Sequence, residues 1–421
     1  MTGERVARLR FLHLVLDSPL MDGVMARFDE MVAHNRYLFR TEKPRYTFNN
    51  IKRRDRVELF AAADRELARV LTDGQSYDVL VLHSLYAVDI ELLPAIPAGI
   101  RIWWISWGYD LYNRHLIDIE LFGERTAALR RELDRERKGG FFKKGDLRDL
   151  GDILFFHPRP FALIGERLRK RLARRRETAA ERDARERAAT ERAVGRITYC
   201  STTLPDEYEL LARKEFFTPR EIPFNYVTHD LFDAATIPAA PLCEGNGILI
   251  GNSATFENNH ADILDLLRRT PPPGGEIVVP LSYGDPTYGE RIARLGNDLF
   301  GARFRPVTEF LPFPQYAALL RTCPVALFGH ERQQALGAVL IALWNGAKVF
   351  LSPTSIIHRH LKNLGATVFS MTDDLNGETL ATPLPRDMII ANRAIVSREY
   401  SSETRIARMR AAIDRIERER A

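Results

Sequence analysis

Cysteine is scarce in this sequence: only three occur, at 200, 243 and 323. None forms a CxxC pair, which argues against a disulfide framework and a cysteine-based zinc site and favours a reducing compartment. No run of eighteen or more apolar residues appears, so no helix is expected to cross a membrane. The apolar run at 11–16 is short, is interrupted by His13 and leads into Asp17. That pattern suits a buried strand and not the core of a signal peptide. A GxxxxGK[ST] loop is missing, which argues against a P-loop NTPase. The lack of a strand-linked GxGxxG argues against a dehydrogenase. There is no HExxH, and the pair Asp373-Asp374 is expected in a late surface turn. No metal and no cofactor are therefore expected.

What is present is ordinary for a globular chain, with 45% hydrophobic and 28% charged residues. A chain of 421 residues exceeds what one core usually supports, so two domains are expected. The net charge of +5 is unevenly spread: between 166 and 177, seven Arg/Lys face two acids. With Phe141, Phe142, Phe155 and Phe156 nearby, this cluster fits an anionic membrane surface, where each basic residue contributes about 1 kcal/mol. A solvated helix is the competing interpretation. No motif accompanies the arginines that would indicate nucleic acid, so no nucleic-acid partner is expected.

Strand-like runs at 11–16, 77–83, 102–107, 197–200 and 221–226 alternate with helical segments at 24–32 and 57–71. A second alternating series follows, with strands at 247–250, 276–280, 325–328 and 348–351 and helices at 261–269, 316–321 and 336–344. Strands alternating with helices predict an α/β chain with two doubly wound, Rossmann-like domains. The expected limits are 1–235, with a helical insertion at about 120–196, then 236–385, then C-terminal helices at 386–421. Two such domains would face a central cleft.

Three constellations sit where strands end. In ILIGNSATFENNH, residues 248–260, a strand runs into Gly251, Asn252 and Ser253, with Asn258 further along the loop and a helix beyond. Glycine allows close backbone approach, and a helix N-terminus suits a diphosphate. An ordinary loop in which Asn259 or His260 caps the helix is the plainer alternative. In FGHERQQALG, residues 328–337, Glu331, Arg332, Gln333 and Gln334 open a helix and Gly337 lies in its first turn. Arg332 suits a phosphate, and the glutamines suit sugar or base groups. In WWISWGYDLY, residues 103–112, Asp110 follows a strand end and is a candidate base. His13 and Asp17, near the end of the first strand, join it as catalytic candidates, although a lone histidine there is as readily structural.

Taken together, the ordered runs WISWGYDLY, ILIGNSATFENNH, EIVVPLSYG, RQQALGAVLIALWNGAKVFLS and FSMTDDL resemble glycosyltransferase family 56 over roughly 10–120 and 195–405. The resemblance implies a GT-B fold and transfer of a deoxyamino sugar, N-acetylfucosamine-like, from a dTDP-sugar. The implied acceptor is an undecaprenyl-diphosphate-linked saccharide, as in the family's lipid II N-acetylfucosaminyltransferase. This would make the protein peripheral at the cytoplasmic face of the bacterial inner membrane. It assigns Gly251, Asn252 and Ser253 to a first donor loop, Arg332, Gln333 and Gln334 to a second, and Pro280 and Tyr283 to the space between. The family pattern has Gly-Ile-Gly after the two glutamines, where this chain has Ala335-Leu336-Gly337. The alternatives are a GT-B relative with another nucleotide sugar, an epimerase, or a non-catalytic nucleotide- or glycan-binding protein.

Overall fold

The computed structural model describes residues 6–41, 46–61, 65–112, 116–138, 178–224, 226 and 243–419. They cluster into two compact units. One is drawn from Met1–Asp118, Phe141–Thr228 and Arg405–Ala421, the other from Ile119–Gly140 and His229–Thr404.

The first unit holds a seven-stranded sheet of β1 (Ala7–Leu14), β2 (Val32–Thr41), β3 (Val57–Ala61), β4 (Val79–Leu82), β5 (Arg101–Ile105), β6 (Tyr199–Ser201) and β7 (Arg220–Glu221). The order is β3-β2-β1-β4-β5-β6-β7, and neighbours pair in parallel. Every residue of β4, VLVL, is buried, as expected for a strand covered on both faces. Helix Ser402–Arg418 belongs mostly to this unit. Its Met409, Ala412, Ile413 and Ile416, spaced along one helical face, enter the core beside Phe11, Phe28 and Trp103.

The second unit contains β8 (Ile248–Ile250), β9 (Ile277–Pro280), β10 (Phe304–Val307), β11 (Val325–Phe328), β12 (Lys348–Leu351) and β13 (Phe369–Ser370). They form a parallel sheet in the order β10-β9-β8-β11-β12-β13. In both sheets the order of the strands therefore reverses beside the first strand, between β1 and β4 and between β8 and β11. Such switch points are where open α/β sheets take ligands. The two Rossmann-like domains predicted from the sequence are present.

Several local expectations need correction. The helix predicted at 57–71 is strand β3 followed by helix Arg65–Thr72. β3 lies at the sheet edge with Leu59 exposed, so it lacks the apolar run of an inner strand. The strand predicted at 221–226 shortens to β7, and Phe224 enters the core individually. β2 and β10 were not anticipated. β2 carries the polar run His34-Asn35-Arg36 after its first two residues. β10 contains Pro306, which an edge strand tolerates.

Segment boundaries differ too. The sequence assigns all of 120–196 to the first domain, but helix Glu124–Lys138 belongs to the second unit, with Leu133 buried in its core. The tail read as 386–421 divides, with Arg386–Tyr400 in the second unit and most of Ser402–Arg418 in the first. The basic cluster at 166–177 and Phe141, Phe142, Phe155 and Phe156 lie outside the described residues. Among the described residues no helix is long and apolar enough to cross a membrane.

Candidate donor-binding site

At the switch point of the second unit, β8 runs into Gly251, whose φ is +64°. A side chain there would collide with Asn258 Oδ1 and His260 Nε2, so only glycine fits. The loop is organised internally by Asn258, which is fully buried. Its Oδ1 accepts from Asn252 N at 2.9 Å, and its Nδ2 donates to Ser253 Oγ at 3.1 Å and Thr255 Oγ1 at 2.9 Å. Ser253 is likewise fully buried. These two residues shape the loop and do not offer polar atoms to solvent. Asn252 remains partly accessible and donates to Tyr283 Oη at 2.6 Å. Tyr283 stands 55% exposed, just past Pro280, the buried last residue of β9.

The neighbouring loop follows β11. Gly329 allows the two loops to touch, since a Cβ there would lie 2.6 Å from Asn258 O. His330 is completely buried, and neither ring nitrogen has a partner. Burial, then the charge of Arg332, drives its pKa well below the ordinary histidine value. Glu331 accepts from Thr354 Oγ1 at 2.7 Å, which turns it towards helix Ile356–Asn363. Arg332 is 8% exposed. Its Nη1 donates to Gln333 O at 3.2 Å, Nη2 lies 3.7 Å from Glu257 Oε1, and Nε has no partner. Gln333 is also buried. Gln334 Nε2 donates to Thr255 Oγ1 at 2.9 Å, linking the loops, while its Oε1 is unpartnered.

Helix Leu336–Asn345 begins here, with Ala335 as N-cap at φ +59°. Its first bond runs from Val339 N to Ala335 O at 3.0 Å. The N–H groups of Leu336, Gly337 and Ala338 thus precede the hydrogen-bond ladder. Nothing lies within 4 Å of where a Gly337 side chain would begin. Gly251, Asn252, Ser253, Asn258, Arg332, Gln333, Gln334 and Gly337 therefore lie on two adjoining loops and the helix that follows them. Glu331 faces away, towards Thr354.

In the first unit the catalytic candidates are tied up internally. Asp110 is 1% exposed. It accepts from Trp104 Nε1 at 2.9 Å, Leu85 N at 3.0 Å, Trp107 N at 3.0 Å and Ser84 Oγ at 3.3 Å. Burial raises its pKa against the pull of those donors. Ser84 itself adopts φ +119° and shares a 2.6 Å hydrogen bond with Tyr109 Oη. Asp17 accepts from the backbone N–H groups of Asn49, Asn50 and Ile51 and from Tyr46 Oη. Burial alone would raise its pKa, but these donors outweigh it and hold the carboxyl below its usual value. It anchors a loop.

His13 is fully buried, and burial pushes its pKa down to about 3. The nitrogen of the Asn35 carboxamide donates to Phe28 O and Val32 O, so its oxygen accepts from His13 Nε2 at 3.1 Å. His13 Nδ1 must then accept from His83 Nε2 at 3.1 Å, and His83 Nδ1 from Tyr226 Oη at 3.0 Å. Trp107 Nε1, which can only donate, completes the chain on Tyr226 Oη at 2.8 Å. Every member is satisfied with both histidines neutral.

Sequence inspection missed Thr255, Ser84 and Tyr226, and saw Asn259 only as a helix cap. Asn259 is buried in the left-handed region at φ +53° and makes no capping bond. A pair of asparagines after a strand is a usable signal for that conformation, though not for its partners. No group of three or more His, Cys, Asp or Glu able to hold a metal occurs among the described residues.

Three solved structures similar to this chain over nearly its whole length are glycosyltransferases. A glycosyltransferase from Rickettsia africae ESF-5 matches at a TM-score of 0.57 and 10% identity, covering 97% of this chain and 98% of that one. The lipopolysaccharide outer core galactosyltransferase WaaB matches at 0.54 and 10% identity, over 97% and 99%. An alpha-glucosyltransferase in complex with UDP-glucose and DNA containing an abasic site matches at 0.52 and 10% identity, over 98% and 99%. Identity this low speaks for the fold alone, which is GT-B. The family model described as 4-alpha-L-fucosyltransferase, glycosyl transferase group 56, matches residues 228–403. That match, together with the GT-B fold, makes the protein a glycosyltransferase, and its residues 228–403 are similar to group 56, in agreement with the resemblance.

Proposed function

We propose that the protein transfers a deoxyamino sugar, N-acetylfucosamine-like, from a dTDP-linked donor to an undecaprenyl-diphosphate-linked saccharide. The setting is the cytoplasmic face of the bacterial inner membrane. The observation that carries the donor half is Arg332. An arginine keeps its charge, and a buried charge is costly unless it is paired. Arg332 is buried with a loose 3.7 Å contact to Glu257 and an unpartnered Nε, beside the free N–H groups of helix Leu336–Asn345. A diphosphate supplies the missing anion and stacks its charge on the positive helix end. As the sugar leaves, negative charge grows on that diphosphate, so the same groups stabilise the transition state.

On the acceptor side, Asp110, His13 and Asp17 are positioning residues in this reading. The carboxylate of Asp110 holds Trp104, Trp107 and the turn at Leu85. Among the described residues there, half-buried Tyr109 and exposed Tyr86 are groups available to meet an acceptor.

A thermal-shift screen against dTDP, UDP, GDP and CMP, with and without magnesium, tests the donor. Ligand at 100 times its Kd stabilises the folded state by about 2.7 kcal/mol. Selective stabilisation by dTDP supports the reading. Preference for UDP, the nucleotide carried by the alpha-glucosyltransferase neighbour's ligand, would keep glycosyl transfer and overturn the donor.

A further inference from the structure

Helix Glu124–Lys138 follows strand β5 of the first unit in sequence, yet packs in the second. Its first turn is capped from outside. Asp262, in helix His260–Arg269, accepts from Arg125 N at 2.9 Å and Thr126 N at 3.0 Å. Gly123, just ahead of the helix, has no room for a side chain against the Asp262 carboxylate. Further along, Leu129 and Leu133 join the core around Leu264 and Tyr288.

The side chain of Asn259 stands where this strap meets both donor loops. Its Nδ2 donates to Leu121 O at 3.0 Å and to Gly329 O at 2.7 Å, and its Oδ1 accepts from Gly123 N at 2.9 Å. The residue is 5% exposed and left-handed. That backbone turns the side chain away from capping its own helix, although capping is the usual use of asparagine at this position. One carboxamide thus joins three segments: the loop after β8 that contains it, the loop after β11 that begins at Gly329, and the strap at 121–123.

We propose that Asn259 is a positioning residue for donor binding, and that the strap is a structural part of the donor site. The carboxamide sets the separation of the two loops, and hence where Arg332 and the N–H groups of helix Leu336–Asn345 stand relative to Gly251. This rests on the reading that those loops hold the donor.

Asn259→Gly removes the carboxamide and keeps the left-handed backbone without strain. Gly123→Ala leaves Asn259 intact and pushes the strap off it through Asp262. Three readouts apply to the full chain of each variant: hydrogen exchange of amides 251–258 and 329–337, the Kd for the nucleoside diphosphate that stabilises the parent protein best, and KM against kcat for the sugar donor carrying that nucleoside diphosphate. In Asn259→Gly both loops should exchange faster, and the nucleotide should bind about tenfold more weakly, with donor KM rising more than kcat falls. Gly123→Ala should shift exchange and affinity in the same direction by less. Loop exchange unchanged in folded Asn259→Gly, or faster exchange with undiminished affinity, overturns the proposal. Should Asn259→Gly not fold, wild-type exchange and affinity in Gly123→Ala overturn it. A parent protein that binds no nucleoside diphosphate refutes the donor reading instead, and loop exchange still decides whether Asn259 joins the loops.

Discussion

The two switch points share a strand order and differ in how their polar groups are finished. Between β1 and β4 the chain Asn35–His13–His83–Tyr226–Trp107 satisfies each member in one direction, and Asp110 gathers four donors. Between β8 and β11, Arg332 Nε, Gln334 Oε1, His260 Nε2 and both nitrogens of His330 are buried without partners. A completed network stiffens a fold, whereas an incomplete one carries a desolvation cost that a ligand can relieve. The difference teaches that titratable side chains at strand ends are poor guides to chemistry until their partners are counted.

The largest expected effect separates the two ends most sharply. Arg332→Ala should weaken nucleotide binding by about 100-fold, the loss expected for one or two charge-assisted hydrogen bonds. Its melting temperature should hold or rise, because an underpaired buried charge is removed. Calorimetric titration alongside thermal melting checks both. Unchanged affinity would remove the distinction between the ends.

Asp110→Ala should do the reverse. Trp104 Nε1 and the N–H groups of Leu85 and Trp107 would lose their acceptor in a buried setting, destabilising the protein by about 3 kcal/mol in urea unfolding. Nucleotide affinity of the folded variant should stay at the parent value. A marked loss of affinity would show that the first unit contributes to donor binding.

Acid provides a third contrast. His13 and His260 are pushed down to about 3 by burial, and His83 and His330 are also lowered. The folded state keeps them neutral while the unfolded chain protonates below about pH 6.5, so stability is full above that pH. It should then fall as pH drops below that value, more steeply for each histidine that stays neutral in the folded state. Two variants sharpen the comparison, read as urea midpoints at pH 7 and 5. His330→Leu should flatten the slope and leave stability at pH 7 equal or higher, since no partner is lost. His13→Leu should flatten it as well but cost about 2 kcal/mol at pH 7, because Asn35 and His83 lose theirs.

Much of the fold was legible because inner strands such as VLVL and IWWI are continuous apolar runs that can only be buried. Edge strands were not: β3 keeps Leu59 exposed and β10 carries a proline, so neither shows an inner-strand pattern. The two adjoining loops of the second unit were legible from glycine placement, since Gly251 and Gly329 mark close approach whatever follows them. The roles of Asn258, Ser253 and Asp110 were not. A polar residue at a strand end looks the same in sequence whether it faces a ligand or buttresses its own loop. Only three-dimensional neighbours distinguish Asn258, spent within its loop, from Arg332, which is not. The strap escaped notice for a related reason, because its docking depends on Asp262 and Asn259, more than a hundred residues away in the chain.

The smallest expected effect concerns Ala335, where this chain departs from the Gly-Ile-Gly pattern of group 56. The backbone keeps the conformation a glycine would adopt, with φ +59° and ψ +19°, despite the Cβ. A left-handed alanine costs about 1 kcal/mol relative to glycine even after the extra freedom glycine gains in the unfolded chain. Ala335→Gly should therefore stabilise the protein by about that amount in urea unfolding. Nucleotide affinity should change little, because the N–H groups of Leu336, Gly337 and Ala338 keep their directions. This would mark the alanine as a local strain on the second switch point, without effect on what it binds. Equal or lower stability in the glycine variant would mean that the loop relaxes out of the left-handed region in solution. The helix N-terminus would then be aimed differently, and the contrast with the rigid first switch point would extend from polar pairing to backbone geometry.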